Sequence, residues 1–217
     1  MRDFFEFEGY IFDLDGTLFD SMGLWAEVYR KALCGFGVAE IPADYIREVN
    51  VRSVSEGARY TAERFSLPVS GEGVVAAWTA IAGDVYATSV EMKQGAAELL
   101  VRLAGAGKKI GVATALDEAL AMPCFERHGL RSSVHSLTTV EEAGADKNFP
   151  DVYLLECAKL GCAPGETVVV EDSATGARAA KSAGFCVVGV FDPNADCPRE
   201  ELAAVCDRCV DSLAELL

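Results

Sequence analysis

The stretch YIFDLDGTLFD, from Tyr10 to Asp20, joins an apolar, strand-like run to a pair of carboxylates. Alternate residues of a strand point to the same side, so the side chains of Asp13 and Asp15 are expected to lie close together. Two carboxylates about 4 Å apart repel each other by about 4 kcal/mol at an effective dielectric constant of about 20. The pair is therefore expected to face a positive charge that offsets this repulsion.

The composition is that of an acidic chain with enough apolar residues for a substantial core. Its 217 residues are 51% hydrophobic, which suits one large domain or a domain with a sizeable insertion. The net charge of −15, from 34 acidic against 19 basic residues, argues against a nucleic-acid partner or an anionic membrane, because both require basic patches. No signal peptide opens the chain and no apolar run reaches membrane-spanning length, which predicts a cytoplasmic protein.

The eight cysteines are expected to be reduced thiols, because the chain shows no export signal. One close pair, Cys206 and Cys209, has the spacing of a metal or redox motif. A structural zinc ion needs four ligands, and no second pair with suitable spacing accompanies this one. We therefore expect neither a metal nor a redox role for the pair.

Apolar runs alternate with amphipathic ones from Lys93 onward. The runs predicted as strands are 108–115, 134–139, 166–172 and 185–191. The runs between them have helical periodicity and end in glycine, a common stop signal for helices. This alternation predicts an α/β fold with a doubly wound, mainly parallel sheet, which binds ligands at the carboxyl ends of its strands.

The segment from about Leu18 to Glu91 interrupts the alternation, because it contains helical patterns and no convincing strand. It follows the first strand directly. We therefore predict two domains: a Rossmann-like core of residues 1–17 and 92–217, and an inserted all-helical cap of residues 18–91 over the carboxyl ends of the strands.

Polar side chains stand where the predicted strands end, and the edge of a doubly wound sheet would bring them together. They are Asp13, Asp15, Thr114, Glu171 and Asp172, with Lys147 on the loop after the third alternating strand. Carboxylates that would otherwise repel each other can jointly hold Mg²⁺, a hard cation that prefers oxygen ligands. The metal, the lysine and the threonine hydroxyl could then neutralise and orient a phosphate group.

Four motifs carry a family resemblance: DLDGTLFD, the threonine of VATAL, the lysine of KNFPD, and VVVEDSATGARAAKSAG. In this order they resemble the haloacid dehalogenase superfamily, specifically its capped phosphatases and the β-phosphoglucomutase-like subfamily. The resemblance covers nearly the whole chain. The third motif departs from the commoner form, because Asp146 replaces the usual glycine and Asn148 the usual proline.

The resemblance implies catalytic roles for two aspartates. Asp13 is the nucleophile that attacks phosphorus and forms an aspartyl phosphate. Asp15 is the general acid towards the leaving oxygen and then the general base for the attacking water. In the cap, Arg52 is a candidate for reading the leaving group of the substrate, and Arg47 lies close to it in sequence.

The resemblance also implies a set of groups that hold the metal and the phosphate. The side chains of Asp13 and Asp172 and the backbone carbonyl of Asp15 would ligate Mg²⁺, and Glu171 would support the metal's water shell. Thr114 and Lys147 would hold phosphate oxygens. These roles describe a metal-dependent phosphoryl transfer.

We therefore expect a Mg²⁺-dependent phosphatase of a small phosphorylated metabolite, acting as a monomer or a weak dimer. The main alternative is a sugar-phosphate mutase on the same scaffold, and a minor one is a non-catalytic binding or regulatory protein. The mutases that the chain resembles carry a histidine that restrains the acid/base aspartate. Trp25 stands at that position here and cannot accept a proton or carry charge, which favours hydrolysis.

Overall fold

The structure is a computed structural model that describes residues 2–50, 52, 54–195 and 197–217 and, within them, all side chains except those of Arg47 and Asn50. The chain divides into two compact units: the residues up to Met22 together with Val90–Leu217, and the segment Gly23–Ser89. The first unit contains the strands, and the second is helical. That the helical unit serves as a cap stays a prediction.

The first unit is built on a parallel sheet with the order β3-β2-β1-β4-β5-β6 among the described residues. Its strands are β1 (Gly9–Phe12), β2 (Lys109–Thr114), β3 (Ser136–Thr139), β4 (Thr167–Glu171), β5 (Cys186–Val190) and β6 (Arg208–Val210). The order reverses direction between β1 and β4, so the predicted doubly wound parallel sheet is confirmed. A crevice outside the carboxyl ends of β1 and β4 is the usual ligand site of such a sheet.

Both faces of the central strands are buried, which explains why these strands read as continuous apolar runs. On one face Ile11 and Val169 belong to a cluster with residues from the helices that follow β3 and β4. On the other face Tyr10 and Val168 have no exposed surface. The sheet therefore stands between two layers, as the alternating sequence predicts.

The helical unit consists of four helices in the described part of the chain. They are α1 (Met22–Gly35), α2 (Tyr45–Asn50), α3 (Val54–Arg64) and α4 (Gly71–Thr88). Aromatic side chains fill its interior: the rings of Tyr29 and Trp78 lie 4.7 Å apart, and Tyr45 meets Phe65 edge-on at 5.1 Å. The hydroxyl groups of Tyr45 and Thr61 are hydrogen-bonded at 2.9 Å.

Six further α-helices in the described residues connect the strands of the first unit. They are α5 (Ala96–Gly105), α6 (Glu118–Arg127), α7 (Val140–Ala143), α8 (Asp151–Lys159), α9 (Ala174–Ser182) and α10 (Arg199–Val205). Among the described residues we find no helix with the length and hydropathy of a bilayer-spanning segment.

A buried carboxylate fastens α8 to the sheet. Glu156 has no exposed surface and accepts hydrogen bonds from the hydroxyl groups of Ser136 and Thr138 on β3, the latter at 2.6 Å. Burial raises the pKa of Glu156 above its ordinary value, although both hydroxyl groups act in the opposite direction. This contact fixes the helix that follows the Lys147 loop.

Candidate active site

Three buried carboxylates meet where β1 and β4 end. Oxygen atoms of Asp13, Glu171 and Asp172 lie within 4.8 Å of one another. The backbone N–H of Asp13 donates to the carbonyl of Val170 at 3.0 Å, so the pairing of β1 with β4 continues to the edge of the sheet. The predicted convergence of Asp13 and Asp172 is therefore present in the geometry.

A tight turn after β1 brings its backbone against Asp172. Gly16 has φ +86°, a conformation that favours glycine, and a Cβ at this position would collide with the Asp172 carboxylate. The N–H groups of Leu18 and Phe19 both donate to the carbonyl of Leu14, at 2.9 and 2.8 Å. Glycine is thus required both by the turn and by the space that Asp172 occupies.

Glu171 is surrounded by hydrogen-bond donors. Its Oε1 accepts from Lys147 Nζ at 2.7 Å and from the Tyr153 hydroxyl at 2.8 Å. Its Oε2 accepts from the backbone N–H and the hydroxyl of Ser173, at 2.8 and 3.0 Å. These four donors match the roughly four lone-pair positions of a carboxylate. Asp13 and Asp172 are consequently better placed than Glu171 to bind a metal ion directly.

The lysine of the third motif joins this cluster. Lys147 Nζ donates to Asp13 Oδ1 as well as to Glu171, and it lies 5.8 Å from the centre of the Tyr153 ring. Burial alone would lower the pKa of Lys147, but the charges of Asp13 and Glu171 outweigh that effect and raise it well above its ordinary value. The lysine therefore stays protonated and can face an anion.

The carboxyl groups of Asp13 and Asp172 are difficult to ionise. Burial raises the pKa of Asp13 to about 7, and the charge of Lys147 opposes that rise only in part. Burial, with the charges of Glu171 and Asp13, holds the pKa of Asp172 well above its usual range. A divalent cation would favour the ionised form of both groups, so the donor set fits a hard metal ion.

Glu171 is ionised, whereas its neighbour Tyr153 keeps its proton. Burial alone would raise the pKa of Glu171, but the charge and hydrogen bond of Lys147, with the donors from Ser173 and Tyr153, lower it. Burial and the charge of Glu171 raise the pKa of Tyr153 well above its ordinary value. Tyr153 therefore remains a donor and Glu171 an acceptor.

The other two sequence-predicted groups in the first unit have local partners. Asp15 is half-buried and its Oδ1 accepts from the hydroxyl of Ser21 at 2.5 Å. Thr114 ends β2 beside β1, and its hydroxyl oxygen accepts from the N–H of Leu116 at 2.9 Å. Because a hydroxyl group also carries a proton, Thr114 can still donate to another acceptor.

The Lys147 loop is shaped by Asp146 and Asn148, which stand in place of the commoner glycine and proline. The Asp146 carboxylate accepts from the backbone N–H of Asn148 at 2.9 Å and from its side-chain amide at 3.0 Å. Short polar side chains often bend loops in this way. The two residues that depart from the family motif are thus hydrogen-bonded to each other within the loop.

Arg52 belongs to the helical unit, between α2 and α3. Its guanidinium lies 4.1 Å from the centre of the Tyr60 ring and pairs with Glu48 at 3.3 Å. Its role towards a leaving group stays a prediction. The side chain of Arg47 lies outside the described part of the chain.

Sequence reasoning did not identify three residues that support the site. Ser21, Tyr153 and Ser173 each donate to a carboxylate of the first or fourth motif. Only Ser173 had a recognisable signal, because a serine before an apolar helical run often caps that helix. Its hydroxyl does accept from the N–H of Gly176 at 3.1 Å, at the start of α9.

Comparisons with known proteins agree with this architecture. Residues 7–184 match a family described as haloacid dehalogenase-like hydrolase. Protein CbbY of Cereibacter sphaeroides is 30% identical over 236 residues, which cover 96% of this chain and 94% of that protein. Hexitol phosphatase A of Escherichia coli is 31% identical over 195 residues, 88% of this chain and 86% of that protein.

The chain is also similar in structure to a solved protein. The crystal structure of CbbY from Rhodobacter sphaeroides in complex with phosphate superimposes with a TM-score of 0.82 and 26% identity, covering 97% of this chain and 96% of that one. The family match spans most of the chain and includes all four motifs. The chain therefore belongs to the haloacid dehalogenase-like hydrolase family.

Proposed function

We propose that this chain is a Mg²⁺-dependent phosphatase that hydrolyses a small phosphorylated metabolite through an aspartyl phosphate. One observation carries the proposal: a buried cluster of carboxylates, contacted by a protonated lysine, stands at the crevice of a doubly wound sheet. Several relatives bear the names of phosphatases, among them hexitol phosphatase A, which supports hydrolysis of a phosphoester.

Asp13 is the proposed nucleophile. It must be ionised to attack phosphorus, and the contact with Lys147 favours the ionised form. Lys147 and the Thr114 hydroxyl bind phosphate oxygens and orient the phosphorus towards Asp13. Holding reactant and nucleophile in place in this way can supply a large part of the rate enhancement.

Asp15 is the proposed general acid and base. Protonated, it gives its proton to the leaving oxygen; ionised, it takes a proton from the water that attacks the aspartyl phosphate. Ser21 donates to Asp15 Oδ1 and restricts the rotation of the carboxylate.

Mg²⁺ would be held by the side chains of Asp13 and Asp172 and the backbone carbonyl of Asp15, with Glu171 beside its water shell. When bound, the ion supplies positive charge against the carboxylates and the phosphate. The raised pKa values of Asp13 and Asp172 are the observation that fits this assignment.

The mutase alternative is less well supported by the residues present. Trp25 occupies the position at which the resembled mutases carry a histidine, and it lies in α1 with its ring 5.9 Å from that of Tyr29. An indole can donate but cannot hold back an acid/base aspartate through charge. Hydrolysis is the expected outcome because water then competes freely for the aspartyl phosphate.

The proposed partner is a small phosphorylated metabolite, and neither nucleic acid nor a membrane. We further propose that the protein acts in the cytoplasm as a monomer or weak dimer. The acidic balance of the chain is the basis for excluding polyanionic partners.

The test is a panel of phosphorylated metabolites assayed with Mg²⁺ for release of inorganic phosphate. Wild type should release phosphate from several members, and excess chelator should abolish the release until Mg²⁺ is restored. Asp13→Asn should be inactive but folded, whereas Asp84→Asn at an exposed position of α4 should behave as wild type. Full activity in excess chelator, or in Asp13→Asn, would overturn the proposal.

β-Glucose 1-phosphate with a trace of the bisphosphate distinguishes the alternative. Rapid formation of glucose 6-phosphate with little free phosphate would favour the mutase over the phosphatase.

A further inference from the structure

Tyr153 is a buried side chain with a hydroxyl group directed at the acidic cluster. It lies in α8, has no exposed surface, and donates to Glu171 Oε1 at 2.8 Å. The same oxygen accepts from Lys147 Nζ at 2.7 Å. Tyr153 therefore reaches Lys147 through one shared carboxylate oxygen.

Gly176 on α9 leaves the space for this contact because it has no side chain. A Cβ on Gly176 would collide with both Glu171 Oε1 and the Tyr153 hydroxyl. The ring of Tyr153 packs in the apolar cluster with Val152 and Ala177, so its position is fixed independently of the hydroxyl group. A phenylalanine would fill the same core volume, and the hydroxyl group is the part that packing does not require.

We propose that Tyr153 is a positioning residue for the proposed hydrolysis: its hydroxyl fixes the Glu171 carboxylate, which in turn holds Lys147 where it binds the phosphate group. This inference rests on the proposed function. Oε2 of Glu171 accepts a hydrogen bond from Ser173 in the loop before α9, and Oε1 accepts one from Tyr153 in α8. Without the Tyr153 hydroxyl, Oε1 of Glu171 keeps only Lys147 as a donor among the described residues, so the carboxylate and the ammonium group are held less firmly in this orientation.

The test removes this hydroxyl group and a matched one elsewhere. Tyr153→Phe is compared with Tyr10→Phe, because Tyr10 is also fully buried and its hydroxyl donates to the backbone carbonyls of Phe4 and Phe7 rather than to a carboxylate of the site. Three quantities are measured for each: the melting temperature, kcat/KM with Mg²⁺ on p-nitrophenyl phosphate, and the dissociation constant of inorganic phosphate by calorimetry.

Tyr153→Phe should lower kcat/KM and weaken phosphate binding about tenfold each, the lower range for a hydrogen bond to a charged group. Tyr10→Phe should leave both unchanged, although it can lower the melting temperature. In a Lys147→Met background, Tyr153→Phe should weaken phosphate binding no further, because the residue acts through Lys147.

Two results would overturn the inference. One is phosphate binding and kcat/KM of Tyr153→Phe within twofold of wild type. The other is a loss of equal size with and without Lys147, which would show that Tyr153 acts by another route. A wild-type protein that neither binds phosphate nor hydrolyses any phosphoester would instead refute the proposed function itself.

Discussion

Replacing Gly16 by alanine tests the contact between the turn after β1 and the Asp172 carboxylate. The substitution adds one methyl group, which costs stability because the backbone has φ +86°. The same methyl group would collide with Asp172. If glycine is needed only for the backbone conformation, alanine should lower stability alone. If Asp172 also binds the metal ion, alanine should lower both stability and activity.

The magnitudes of the two effects can be separated. A left-handed conformation costs a non-glycine residue about 1–2 kcal/mol. For a chain of this size that lowers the melting temperature by about 2–8 °C. Displacing a group of the active site by about 1 Å can reduce activity about 100-fold. We therefore expect a modest loss of stability together with a large loss of kcat/KM.

Gly184 supplies the matched control, because it has φ +89° in the same unit and a Cβ there meets nothing within 4 Å. Gly184→Ala should lose similar stability and keep its activity. Melting temperatures and Mg²⁺-dependent hydrolysis of p-nitrophenyl phosphate are measured for both variants, with the Mg²⁺ concentration that gives half-maximal rate. If Gly16→Ala keeps kcat/KM within threefold of Gly184→Ala, the reasoning about Asp172 is wrong.

Three further predictions follow from buried polar contacts. Asp192→Asn breaks a buried ion pair with Lys93 (N···O 2.7 Å) and should lower the free energy of unfolding by about 3 kcal/mol in chemical denaturation; a loss below about 1 kcal/mol would contradict this. Glu156 has a raised pKa in the folded state, so its ionisation costs stability as pH rises through that pKa. Glu156→Gln should therefore gain stability relative to wild type as the pH rises above about 4.3, the ordinary pKa of a glutamate, and a constant difference would contradict the buried-charge argument. Ser21→Ala removes the donor to Asp15 and should lower kcat about tenfold on alkyl phosphates but little on p-nitrophenyl phosphate, whose leaving group needs no proton; equal losses would exclude a role in acid catalysis.

The sequence predicted the central part of the sheet well, because the apolar runs of β1 and β4 lead directly into the acidic residues Asp13 and Glu171. β6 was not predicted, since Arg208–Val210 is too short and too polar to show a strand pattern. The helical patterns between Leu18 and Glu91 do not show where one helix ends and the next begins, and the structure has α2 and α3 as separate short helices there. Short elements of this kind are specified by packing rather than by local pattern.

The carboxylates and Lys147 could be predicted because their motifs are local in sequence. The supporting donor Tyr153 could not, because it is 18 positions from Glu171 and the contact depends on how α8 packs against the sheet. The sequence also did not show what Asp146 and Asn148 do in place of the usual glycine and proline. The structure shows that they are hydrogen-bonded to each other and shape the loop. Local motifs thus predict the reactive groups, and tertiary packing determines what orients them.

In the proposed mechanism Asp13 carries the phosphoryl group during turnover. Wild-type protein is mixed with Mg²⁺ and excess phosphoester, quenched in acid during the steady state, digested, and mapped by mass spectrometry. We expect one added phosphoryl group on the peptide that contains Asp13, and none in Asp13→Asn treated in the same way. Continued turnover with no phosphoryl group on that peptide, or with the group on another residue, would contradict the proposed mechanism.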